Sequence, residues 1–355
     1  MGKHGLNSSI MLDFNDILIK PKVITNIISR SDINPFYNDY KLPLITAPMD
    51  TVVTDENAHL FSAVGLNVCL PRGEESEDKA FFKSYSLNEF KLHFLDNTAT
   101  FNEIMKSINR KVLIDTANGH IQEMLDAVKK AKDLYGNRLT LMVGNIANPK
   151  TYVQLSEAGA DYIRVGIGNG GGCLTTQQTG VGFPMASLIN LCYFESLELD
   201  NPAKIVADGG MQTYSDIIKA LALGADYVMV GSLLNKCLES SGSNYLFKYI
   251  PISSEFAERA YKFGFKINKK FRGMSTKEVQ KEWGNTELKT SEGVVRYREV
   301  EYTLNGWVDN FKSYLRSAMS YSGARTLNEF IGDAEIVKIS DNAYKRFNKW
   351  LKKNL

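Results

Sequence analysis

One cysteine in this chain stands where a nucleophile would be placed. Cys173 directly follows the run from Gly166 to Gly172, in which five of seven residues are glycine, and Thr175 lies two residues further on. A thiolate can form a covalent intermediate that divides one difficult displacement into two easier ones, and a neighbouring hydroxyl can relay a proton. The same pattern also describes a flexible loop whose cysteine packs as a small apolar residue. Before the loop, Tyr162, Ile163, Val165 and Ile167 form the apolar, β-branched run expected of a strand buried in a parallel sheet. A strand feeding such a loop matches the catalytic loops found at the C-terminal ends of barrel strands.

Other strand ends carry polar residues of the same kind. Asp208-Gly209-Gly210 follows Ile205–Ala207. Glycines there let a ligand approach the backbone, and a carboxylate can accept both hydroxyls of a ribose; the alternative is a plain turn with Asp208 capping the next helix. Gly231-Ser232 follows Tyr227–Val230. Backbone N–H groups in that position can hold a phosphate, or the pair simply turns the chain. Together the two loops outline a nucleoside monophosphate lying across a barrel mouth, with Cys173 directed at its base. Asp115-Thr116-Ala117-Asn118-Gly119 is another polar strand end, with room for a second ligand. Glu292, in Ser291-Glu292-Gly293, is either a supporting acid/base group or a solvated surface glutamate.

These loops need a scaffold that gathers strand ends. Short apolar segments recur at 43–48, 67–70, 111–116, 139–144, 162–167, 205–207 and 227–230, with an eighth strand expected in Lys266–Arg272. Helical stretches are expected between them, including one after 67–70 and others near Ile121–Leu134, Pro149–Ala158, Met185–Tyr193 and Asp216–Leu223. Strand–helix alternation repeated over roughly 250 residues predicts an α/β fold of the (β/α)8 TIM-barrel type. A doubly wound open sheet is the competing layout, but no GxGxxG follows the first strand. The expected organisation is a single catalytic domain over 1–355. It has an N-terminal arm at 1–40, a polar, aperiodic mobile flap at about 276–293, and a C-terminal helical extension at about 328–355. Asn305–Ser320 reads as an amphipathic helix with Trp307, Phe311, Leu315 and Met319 on its core face.

Composition narrows the partners. With 355 residues, 44% hydrophobic and 23% charged, the chain is an ordinary globular protein. A net charge of +2 implies no general attraction to nucleic acid, and the terminal Lys345, Arg346, Lys349, Lys352 and Lys353 read as the solvated face of a helix. No apolar run is long enough to span a bilayer, and the N-terminus lacks a secretory core, so no membrane partner is expected. The four cysteines are scattered without a CxxC pair, which argues against zinc and fits a reducing cytoplasm.

Several stretches, taken in order, resemble the IMP dehydrogenase/GMP reductase family over nearly the whole length. They are LDFNDILIKPK (12–22), PMDTV (48–52), GADYIRVGIGNGGGC (159–173), ADGG (207–210), VMVGS (228–232), RGMS (272–275), SEG (291–293) and RSAMSYSGA (316–324). The chain has no room for the CBS modules usual in the dehydrogenases, and the segment from Ser275 to Glu292 lacks their Arg-Tyr pair. The loops 115–119 and 179–184 are similar to the reductase versions, while Pro48-Met49-Asp50 is more like the dehydrogenase version. The resemblance thus implies the reductase branch, with a CBS-less IMP dehydrogenase using NAD as the alternative.

For the site, the resemblance implies NADPH-dependent conversion of GMP to IMP and ammonia, with Cys173, Thr175 and Glu292 as the reacting groups. It assigns GMP to Asp208, Gly209, Gly210, Gly231, Ser232, Gly273, Met274, Ser275, Lys289 and Gly293. It assigns NADPH to Arg72, Asp115, Thr116, Ala117, Ile167, Gly168, Met274, Leu288, Lys289, Ser317, Ala318, Met319 and Ser320. Ser29 and Arg30 would reach the cofactor of a neighbouring subunit, which implies a homotetramer. Gly168, Gly170, Cys173 and Thr176 resemble a potassium loop. The chain departs from the reductase pattern at Asn169, where proline is usual, at Gly171-Gly172, which replace a larger pair, and at Thr176 and Lys289, where arginine is common.

Overall fold

Eight short strands pair edge to edge in the computed structural model, which describes residues 10–37, 40–106, 110–274, 276, 279, 281 and 293–347. Counting from β1 (Ile17–Ile19), which lies apart, they are β2 (Leu44–Thr46), β3 (Cys69–Leu70), β4 (Phe82–Tyr85), β5 (Arg110–Asp115), β6 (Leu139–Ile146), β7 (Tyr162–Val165), β8 (Lys204–Asp208) and β9 (Tyr227–Val230). All neighbours are parallel, in the order β2-β9-β8-β7-β6-β5-β4-β3. The ring closes between β2 and β3: Ile45 and Asn67 form a parallel bridge, with Thr46 N donating to Asn67 O at 3.0 Å. The fold is therefore a (β/α)8 barrel.

Why these residues form a barrel follows from their burial on both faces. Ile45, Ala47, Cys69, Phe82, Leu113, Met142, Val206 and Met229 point inward and fill the lumen. The other side chains of the same strands pack outward against the helices in one continuous apolar layer. At the start of the strands, Tyr162 meets Phe82 edge-on at 5.4 Å and Tyr227 at 5.6 Å, so aromatic rings plug that end. The other end is left to polar loops.

The eighth barrel strand is not where the sequence places it. Phe82-Lys83-Ser84-Tyr85 supplies it, and its alternation of buried and half-buried residues gives no apolar run to recognise. Nor does a helix follow Leu70; Pro71 to Ala80 is a chain of turns. Lys266–Arg272 instead contains β12 (Ile267–Arg272), part of an antiparallel sheet of order β11-β10-β12-β13. Its other members are β10 (Asn244–Leu246), β11 (Ile250–Ile252) and β13 (Val295–Glu299). The polar centre Asn268-Lys269-Lys270 does not suit a barrel lumen. In this sheet Lys269 can point its ammonium at the Ser240 and Gly242 carbonyls.

The helix Leu304–Ser322 is started by the Thr303 side chain and ended by Gly323 in a left-handed conformation. Trp307, Phe311, Leu315 and Met319 are all essentially fully buried, as their spacing predicts. The terminal segment, expected to be helical, includes the short helices Leu327–Phe330 and Asp341–Phe347. Between them lies β14 (Ile336–Lys338), which pairs antiparallel with β1 and ties the two ends of the chain together.

Candidate active site

The ends of β5 to β9 and β12 surround one cavity of about 730 Å3. That falls within the roughly 300–1,000 Å3 typical of ligand pockets. Cys173 and Thr175 line it, along with Asp208, Gly209, Gly210, Gly231, Ser232, Gly273 and Met274 on one side and Arg72, Asp115, Thr116 and Ala117 on another. Ile167, Gly168 and Gly170 complete the loop wall. Most residues that the sequence singles out are thus brought together.

Cys173 Sγ lies 3.2 Å from Thr175 Oγ1, so thiol and hydroxyl share one contact. The cysteine is half-buried, whereas Cys69, Cys192 and Cys237 are fully buried. Burial pushes the Cys69 thiol up to about 12 and raises Cys192 and Cys237 well above the ordinary thiol range. Those three are packing residues. The loop is pinned by Cys173 N donating to Gly170 O at 3.0 Å and by an antiparallel bridge between Cys173 and Gly293. Val294 N donates to Gly172 O at 3.2 Å, and Gly273 N to Val294 O at 3.1 Å, which locks the chain beyond residue 292 against the cysteine loop.

Asp208 is held by two donors on a single oxygen: Arg164 Nη2 and Asn145 Nδ2 each reach Oδ2 at 2.8 Å. Among the described residues no bond reaches Oδ1, so it can accept from a ligand. Gly209 follows with φ +91, and a Cβ there would stand 2.8 Å from Gly170 N. Only glycine lets the two loops come this close.

Arg164 is a residue of the cavity wall that the sequence reading missed. Its guanidinium is almost buried and spans the mouth, donating to Asp115 Oδ1 at 2.7 Å as well as to Asp208. Burial alone would lower its pKa, but Asp208 and Asp115 outweigh that and raise it. The signal was present: a charge inside the apolar run Tyr162-Ile163-Arg164-Val165 must be paired once the strand is buried. Asp115 is also bridged by Arg72, at 3.2 Å on Oδ2. A second missed contact joins Arg272 to Asp50, which ties the end of β12 to the loop after β2.

Three departures from the family pattern have visible roles or fall outside view. Asn169 donates from Nδ2 to Phe183 O at 3.1 Å, cross-linking the loop that proline would only stiffen. Thr176 Oγ1 donates to Val181 O at 2.8 Å and packs on Gly168, where a Cβ would lie only 1.8 Å from it. Lys289 lies outside the described residues, as do Ser275, Leu288 and Glu292, and with them nearly all of the flap expected at 276–293.

The remaining assignments sit elsewhere on this chain. Ser29 caps the exposed turn Arg30–Asp32, and neither Ser29 nor Arg30 lines the Cys173 cavity. Ser317 and Ala318 line a separate cavity of about 780 Å3 beside Phe14, Lys219 and Tyr344, while Met319 is fully buried in the core. Four consecutive helical residues span a full turn, so they cannot all face one ligand.

Comparison with known proteins agrees with this geometry. The IMP dehydrogenase / GMP reductase domain matches residues 95–348. A Phytophthora infestans protein named GMP reductase is 29% identical over 366 residues, covering 97% of this chain and 95% of its own length. Proteins of the same name from Shigella boydii serotype 18 and Escherichia coli O1:K1 / APEC are each 30% identical over 368 residues, covering 97% of this chain and 99% of theirs. This chain belongs to the IMP dehydrogenase / GMP reductase family.

Proposed function

We propose that this chain catalyses the reductive deamination GMP + NADPH + H+ → IMP + NH3 + NADP+, acting in purine nucleotide salvage. The observation that carries the reading is the Cys173–Thr175 pair, 3.2 Å apart, in the same cavity as the open oxygen of Asp208. Asp208 takes the ribose diol, the loops at Gly209-Gly210 and Gly231-Ser232 take the sugar phosphate, and Gly273, Met274, Ser275, Lys289 and Gly293 are assigned to the same nucleotide.

With the nucleotide so held, the Cys173 thiolate attacks C2 of the purine. The S–C2 bond forms, the C2–N bond breaks, and ammonia leaves with a proton relayed through Thr175 from Glu292. NADPH, when bound, supplies the hydride that C2 takes up. The S–C2 bond then breaks, returning the thiolate and releasing IMP. Covalent attachment suits this exchange because an amino group is a poor leaving group for direct displacement by hydride.

The residues fit such a cofactor: Asp115, Thr116 and Ala117 open onto the same cavity as Cys173, and Arg72 brings a cation to that side. They would hold the nicotinamide end, with Ile167, Gly168 and Met274 in the same cavity, and Leu288 and Lys289 are assigned to the same cofactor. Ser29 and Arg30, which do not line the Cys173 cavity, would reach the cofactor of a neighbouring subunit of a homotetramer, while Ser317 and Ala318 line an adjoining cavity that shares Gly210 with it. A potassium ion, as in the resemblance, would take the neutral oxygens of Gly168, Gly170, Cys173 and Thr176, the donor type hard cations take. It would stiffen the loop.

Cys173→Ala tests the reading. It should lower turnover by roughly a thousandfold or more, as loss of a nucleophile does. GMP binding, followed by calorimetry, should survive because the binding groups lie elsewhere. Turnover within tenfold of wild type would contradict covalent catalysis.

A further inference from the structure

Arg298 sits on β13 among exposed neighbours, yet it alone in that strand is turned partly inward. Its guanidinium carbon lies 4.3 Å from the centre of the Phe271 ring, a cation–π contact, and Nη1 donates to the Ser232 carbonyl at 3.2 Å. Ser232 belongs to the loop after β9 and Phe271 is the penultimate residue of β12, so Arg298 ties two walls of the cavity together.

The glycine pair in the catalytic loop makes this arrangement possible. A Cβ on Gly172 would stand 3.0 Å and 3.3 Å from the edge of the Phe271 ring, closer than ordinary contact. A Cβ on Gly171 would fall 3.4 Å from Arg298 Nη2 and 3.6 Å from Ser232 Oγ. Because residue 171 has no side chain, a guanidinium nitrogen and a hydroxyl converge on a small open volume in the loop wall. Two donors aimed at one vacancy of atomic size form a seat for an oxyanion.

The charge balance points the same way. Among the described residues Arg298 hydrogen-bonds a carbonyl and not a carboxylate. Burial lowers its proton affinity and the neighbouring Arg296 lowers it further, against a smaller opposing effect from Glu301. A guanidinium keeps its proton at any physiological pH, so this is a half-buried cation short of negative charge.

We infer that Arg298 anchors the 5′-phosphate of the nucleotide, whose oxygen sits over Gly171 between Arg298 Nη2 and Ser232 Oγ. This rests on the reading of the site as one for a purine 5′-monophosphate. Gly171-Gly172 and Arg298 are then one device, in which the loop gives up its side chains and a cation from β13 takes their place. Arg298 positions the substrate and touches no reacting atom.

The test measures GMP and guanosine binding by calorimetry to wild type, Arg298→Met and Gly171→Ala. Methionine keeps an apolar stem against Phe271 without the charge, and alanine at 171 intrudes on the seat while leaving Arg298 in place. Losing a charge-assisted contact should weaken GMP by roughly 10- to 100-fold in Arg298→Met. Gly171→Ala should weaken GMP in the same sense, and guanosine affinity should not move in either variant. With GMP as substrate, KM should rise while kcat stays near wild type. GMP affinity within twofold of wild type in both variants, or equal losses for GMP and guanosine, would overturn the inference. The proposed function fails separately: wild type would then bind 5′-monophosphates but consume no NADPH with GMP. If Arg298→Met does not fold, the Gly171→Ala result decides alone.

Discussion

Replacing Arg164 by methionine is the perturbation whose cost the structure defines most fully. The guanidinium is 8% exposed at its side chain and bridges Asp115 and Asp208, whose side chains are 20% and 18% exposed. Methionine leaves both carboxylates partly buried without the cation between them. Removing one partner of a buried ion pair costs about 3–5 kcal/mol. Here Asp115 keeps Arg72 and Asp208 keeps Asn145, and each surviving bond is worth about 1 kcal/mol, so the expected loss is about 1–3 kcal/mol. Urea unfolding followed by tryptophan fluorescence, to which Trp307 buried in the core contributes, reads it as a lower midpoint at unchanged slope. Adding Asp208→Asn removes one stranded charge, so the double variant should recover part of the loss. A loss under about 1 kcal/mol, or no recovery in the double variant, would refute the view that Arg164 organises the mouth by charge.

Two further outcomes follow from single residues. Burial pushes Lys269 down to about 8 from its usual 10.5. A depressed base contributes stability that is full above 10.5 and lost as the pH falls through 8, so the wild type should gain on Lys269→Met by about 3 kcal/mol between those values. Denaturation at stepped pH checks this, and a flat or shrinking difference would count against it. Gly209→Ala forces a Cβ to within 2.8 Å of Gly170 N at φ +91, so it should destabilise by about 1–3 kcal/mol and lower kcat/KM for GMP at least tenfold. Activity within twofold of wild type would show that the close approach of the two loops is dispensable.

How much of this could be read from the sequence varies with the physics involved. The β7 loop was legible because an apolar β-branched run and dense glycine are both local signals. The loops after β8 and β9 were legible for the same reason. Strand β4 was not, since Phe82-Lys83-Ser84-Tyr85 owes its place to pairing with β3 and β5, a tertiary effect. Arg164 was half legible: its burial was implied by its neighbours, but its partners Asp115 and Asp208 come from strands far along the chain. Arg298 was hidden altogether. Arg296-Tyr297-Arg298-Glu299 reads as an exposed polar strand, and only the register with β12, which sets Arg298 opposite Lys269 and diagonal to Phe271, brings the guanidinium over the Phe271 ring. Within 317–320 the helical turn was not legible as a division: Ser317 and Ala318 line a cavity while Met319 is buried in the core.

The central claim is that this site moves hydride toward the purine and expels ammonia. Absorbance at 340 nm, followed on one preparation of the protein with GMP plus NADPH and then with IMP plus NAD+, tests it most directly. The account predicts a steady fall in the first mixture, with one ammonia formed per NADPH consumed, and no rise in the second. A rise with IMP plus NAD+ and no change with GMP plus NADPH would contradict it and make the chain a dehydrogenase.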